Sequence, residues 1–136
     1  MAWLYAGGVL IKKYGFLKSS VCQGLVWCFW HTLLWVVDSD FTDWRAIPYI
    51  ISNIVVITSI TILMNIFLER DNNLIYSVLL HFGFNIFYVF LDADIGFFEI
   101  LTALYLVITP IAVLVRNKTA EKLLKNTESK ERKIEQ

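Results

Sequence analysis

Ile47–Leu68 reads IPYIISNIVVITSITILMNIFL, 22 residues with no charged side chain. A helix needs about 17–25 mostly apolar residues to cross a bilayer's hydrocarbon, and this run has that length and character. Three further segments of similar length obey the same rule: Ser20–Val37, Leu74–Asp92 and Phe97–Val115. The intervals between them are short and polar. The expected fold is therefore all-α, a polytopic membrane protein with four transmembrane helices. A short partial helix, Ala2–Ile11, precedes them and leads to a turn at Tyr14–Gly15. Pro110 lies inside the last run and is expected to kink it.

Composition agrees with this reading. Of 136 residues, 57% are hydrophobic and 15% aromatic, and the mean hydropathy is +0.60. Soluble domains carry about 45–50% apolar residues. Lys+Arg 12 against Asp+Glu 12 gives a formal net charge of zero, so nothing calls for a nucleic-acid partner. The bilayer is the first partner. Basic residues gather at alternate span ends: Lys12, Lys13, Lys18, Arg70, Arg116 and Lys118 fall on one side. Arg45 falls on the other, among Asp38, Asp40, Asp43, Asp92 and Asp94. By the preference of Lys and Arg for cytoplasmic loops, both termini are expected in the cytoplasm of a multi-pass cell-membrane protein. The apolar Ala2–Ile11 stretch precedes Lys12 and Lys13, the reverse of a secretory signal, so no cleavage is expected.

The chain divides into a transmembrane domain, residues 1–115, and a charged cytoplasmic tail, residues 116–136, expected as a solvated, frayed helix. Cys22 and Cys28 stand six residues apart in one run, about 240° around and about 9 Å along a helix. They cannot bridge each other, and both read as small buried residues.

Polar side chains deep in hydrocarbon are costly and need a reason. Both histidines qualify. His31 lies about 16 Å into its span and His81 about 10 Å into its own, at 1.5 Å per residue. The two spans run in the same direction, so the imidazoles are expected at similar depth, facing the bundle interior. Asn85 comes four residues after His81 on the same face. Trp27 precedes His31 by the same step and is expected to pack beside it. Gly83 is expected to admit another backbone closely. Asn53, Asn65, Ser52, Ser59 and Thr61 read as interhelical hydrogen-bonding groups, and Glu99 as interfacial. From depth and spacing alone, four readings of the histidines stay open: a structural hydrogen bond, a catalytic pair, a metal site, or a bis-histidine haem site.

The stretch Tyr14–Trp35, YGFLKSSVCQGLVWCFWHTLLW, resembles the second motif region of the CPBP intramembrane proteases, which include CAAX prenyl proteases and bacterial abortive-infection proteins. Trp27 and His31 match its aromatic and histidine. His81 and Asn85, in LLHFGFN, match the third motif. The resemblance runs from about Trp3 to Val115. It implies peptide hydrolysis near the membrane, with His31, His81 and Asn85 as catalytic-site residues and a membrane-proximal peptide or protein as substrate. The family's first motif, a Glu-Glu pair whose carboxylate activates water, has no counterpart: no carboxylate precedes Asp38. The opening MAWLYAGG resembles the segment just after that pair. The resemblance thus implies a truncated or inactive protease. The alternative is a non-catalytic small membrane protein in bacteriocin immunity or partner binding, with a haem protein third. A divalent metal is kept open as cofactor, but no ligand set is assigned. Self-association is kept open as well.

Overall fold

The computed structural model describes residues 2–38, 44–71, 73–90 and 95–134. These form five helices: α1 Ala2–Tyr14, α2 Phe16–Asp38, α3 Ala46–Asp71, α4 Leu74–Phe90 and α5 Ile95–Ile134. The turn expected at Tyr14–Gly15 separates α1 from α2, where Gly15 adopts φ 85°. Only a residue without Cβ takes that conformation at little cost. Ser19 Oγ then donates to the Leu10 carbonyl at 2.7 Å, tying the start of α2 back to α1. Among the described residues, two helices are long and apolar enough to cross a membrane, Ala46–Asp71 and Gly96–Lys133, with mean hydropathy 2.1 and 2.2.

α3 is the hub. It packs against α2, α4 and α5, while α1 packs on α2. Its buried residues run almost all round its axis: Tyr49, Asn53, Val56, Ile57, Ile60, Thr61, Met64 and Asn65 among them. Contacts along its length fix the directions of its neighbours. Near one end Tyr49 meets Phe98 edge to face, centroids 5.0 Å apart. Near the other, Glu69 pairs with Arg116, so α3 and α5 are parallel. Asn65 meets Ser20, and Cys28 reaches the Ile54 carbonyl. α2 is therefore antiparallel to α3, as is α4, whose Ser77 bonds the Met64 carbonyl. α2 and α4 consequently run in the same direction.

The distribution of polarity is inverted relative to a water-soluble bundle. Beside Val56, the most deeply buried side chains are Asn53, Asn65, Ser19, Ser20 and Ser77. Phe29 and Trp30, by contrast, are 75% and 71% exposed, and Leu106, Val107, Ile111, Leu114 and Val115 face outward along α5. Water would penalise so large an apolar exterior. Hydrocarbon does not, and it favours polar groups turned inward onto one another.

Two expectations are corrected here. Gly83 has open space around its Cβ position; the close approach is at Gly24, where a Cβ would stand 2.7 Å from the Thr58 Cα. Cys22 is exposed, and only Cys28 is buried; both are free thiols. The tail is helical: α5 continues through Pro110 to Ile134. A helix already nucleated in the bundle extends without a new nucleation cost, and Lys125 pairs with Glu121 one turn earlier at 2.7 Å.

Candidate functional site

Trp27 is held from two sides. It packs against the cluster of Cys28, Tyr49, Ile57 and Phe98, and also against Val56, Ile60 and Met64 with Phe84, Leu101 and Tyr105. An indole locked between two apolar clusters is a fixed platform. His31, one turn on along α2, lies with its ring centroid 5.8 Å from that indole. His81, from α4, lies 4.8 Å from it with the planes 30° apart. Asn85 Nδ2 stands 2.9 Å from His81 Nε2. The four residues are therefore gathered on one side of α3. Cys28, the neighbour of Trp27, reaches Thr58 Oγ1 at 3.9 Å, and Thr58 is at the middle of α3, about 18–20 Å from either end.

His31 and His81 are partly buried and Asn85 is exposed. The group thus lies at the margin of the bundle, where α2 and α4 flank α3, rather than at its centre. When Asn85 Nδ2 donates to His81 Nε2, the ring proton sits on His81 Nδ1. That nitrogen is buried and has no partner among the described residues. A buried donor without a partner is costly. The carboxylate side chains described on α2–α4 are Glu69 and Asp71. Both lie near the end of α3, eleven or more residues from Thr58, or about 16 Å and beyond.

The donor set does not suit a metal ion. Two imidazoles and an amide fall short of three protein ligands plus water, and Asn85 engages His81 Nε2. Among the described residues no group of three or more His, Cys, Asp or Glu could hold one. Nor does a bis-histidine haem gain support, because both imidazoles converge on an indole.

Sequence reasoning missed the polar knot below this site. Asn65 Nδ2 donates to Ser20 Oγ at 3.0 Å and to Gln23 Oε1 at 2.9 Å, all three buried. Of the residues read as interhelical groups, Asn65 makes such bonds. Asn53 and Thr61 donate to carbonyls of their own helix, Tyr49 and Ile57. A signal for the α2–α3 contact was present: Ser20, Gly24 and Cys28 recur at four-residue steps, a small-residue seam.

A family model of the type II CAAX prenyl endopeptidase, Rce1-like, matches residues 3–87. The chain belongs to the Rce1-like family. The match includes Trp27, His31, His81 and Asn85. It takes in α1–α3 and most of α4, ending before α5, so it is shorter than the resemblance read to Val115. The family is membrane-embedded, in keeping with the inverted polarity of the bundle. No curated protein and no solved structure matches the chain.

Proposed function

We propose that this chain is a CAAX-type membrane endopeptidase in architecture, with a site built of His31, His81 and Asn85, and that by itself it turns over little or no substrate. The convergence of the two imidazoles on Trp27, with Asn85 bonded to His81, inside the family-matched residues, carries this reading. In such a site a peptide carbonyl approaching along the open side of α2 and α4 would meet His31, His81 and Asn85, while Asn85 holds the tautomer of the His81 ring. Hydrolysis also needs a water whose proton passes to a base as its oxygen attacks the carbonyl carbon. General-base catalysis is typically worth 10²–10⁴-fold. The carboxylates described on α3, Glu69 and Asp71, lie about 16 Å or more along it from Thr58.

The same reading includes four membrane spans, α2 to α5, with both termini cytoplasmic. It is supported by the gathering of Phe16, Glu69 and Arg116 at one end of the bundle. That end is flanked by Lys12, Lys13, Lys18, Arg70 and Lys118.

The test is cleavage of a membrane-proximal peptide by protein purified into lipid. The chain as given should be inactive. A version preceded by a helix ending in Glu-Glu should gain hydrolysis, and His31→Ala or His81→Ala should remove about 10²-fold or more of that gain. Robust cleavage by the unextended chain that survives both histidine substitutions would refute the assignment. A second reading is a non-catalytic membrane protein in bacteriocin immunity or partner binding. It predicts no gain from the added helix.

A further inference from the structure

The outer face of α4 carries a feature that the proposed chemistry does not require. Ile75, Val78, Leu79, Phe82 and Ile86 are all exposed. They recur at three- and four-residue steps, so with Asn85 they occupy an arc of about 120° on the helix. Ser77 and Phe84, on the opposite side, pack toward α3. Asn85 is an exposed carboxamide at the edge of the arc, eleven residues into α4, or about 16 Å along it. One of its N–H groups is engaged with His81. The residue is otherwise exposed. A polar group exposed at that depth is costly in hydrocarbon, so the surface calls for a polar cover at that level.

We propose that this arc is a homodimer interface, in which α4 of a second copy packs in parallel so that the two Asn85 carboxamides bond each other. Depth matching favours an identical partner. Two copies in one bilayer, related by a two-fold axis along the membrane normal, necessarily hold Asn85 at the same level. A carboxamide is also self-complementary: each supplies one free N–H and one free oxygen. The 3-4 spacing of the apolar residues gives a seam of the kind that parallel helices share, and one polar residue in such a seam fixes its register. The dimer would place both His81–Asn85 pairs beside the shared interface.

The experiment uses the full chain in liposomes, with Cys22→Ser and Cys28→Ala removing both native thiols. Single cysteines are introduced at Ile75, Phe82 and, as a control, Leu80, which is exposed on another face of α4. Oxidation should crosslink the Ile75 and Phe82 variants into dimers of twice the chain mass and leave Leu80→Cys monomeric. Separately, dimer fraction measured by energy transfer between labelled copies should fall about 3- to 30-fold in association constant for Asn85→Leu. That range corresponds to one weak or one strong interhelical hydrogen bond. Asn85→Gln should retain most of it. The proposal is overturned by a monomer at every protein-to-lipid ratio, by equal crosslinking through Leu80, or by an Asn85→Leu variant that associates as well as the native chain.

Discussion

Trp27 on α2 and His81 on α4 meet with ring centroids 4.8 Å apart and planes 30° from parallel, although each helix takes its main packing from α3. The contact joins a rigid residue to a reactive one. Trp27 belongs to both apolar clusters, so its position is set by the core. His81 lies on a helix with a largely exposed outer face, and the indole fixes where its ring can stand.

Removing that platform should therefore act on stability and on the site together. Trp27→Ala empties a site shared by two clusters and should cost about 3–5 kcal/mol, read as a fall in the thermal midpoint in detergent. Trp27→Phe keeps an aromatic face and should cost less than half as much. Equal losses for the two variants would show that the indole is not the element that fills the junction.

Gly24 is where α2 and α3 come closest. A Cβ there would meet the Thr58 Cα at 2.7 Å, and backbone cannot rotate aside as a side chain can. Gly24→Ala should destabilise by about 1–3 kcal/mol, whereas Gly83→Ala, which has open space, should be close to neutral. Unfolding curves of the two variants in the same detergent make the comparison; a neutral Gly24→Ala would mean that the helices part at no cost.

Asn65 ties α3 to α2 through two donated hydrogen bonds. Interhelical bonds in membranes average about 0.6 kcal/mol, so Asn65→Leu should cost about 1 kcal/mol. Asn65→Ala should cost more, because it loses the same two bonds and also leaves a cavity. Chemical denaturation of both variants reads this order directly. If Asn65→Leu were the worse of the two, strain from the branched side chain would outweigh the cavity that Ala leaves.

Orientation is open to a direct measurement. A reporter active only in the cytoplasm, fused after Gln136, should be active, and one active only outside should be silent. The opposite pattern would overturn the four-span arrangement with cytoplasmic ends.

How much of this was legible in the sequence differs from residue to residue. Ile47–Leu68 announced α3 by length and lack of charge alone, because a chain in hydrocarbon must satisfy every backbone group within its own helix. Gly15 marked the α1–α2 corner. The same-face relation of His81 and Asn85 came from helical periodicity, and the structure shows the pair at 2.9 Å. These are local properties, set by bond geometry and transfer free energy within a few turns.

Periodicity could not say which small residue faces a neighbour. Gly83 and Gly24 are alike in sequence, yet only Gly24 lies on the crossing with Thr58. Nor could it foresee that Asn65 bonds Ser20 and Gln23 of α2. Those outcomes depend on the rotation of each helix about its axis, which is fixed by the packing of all its neighbours at once. The convergence of two histidines on one indole belongs to the same class. Sequence placed the three residues at similar depth, and only the packing of α2 and α4 around α3 decided that their side chains would meet.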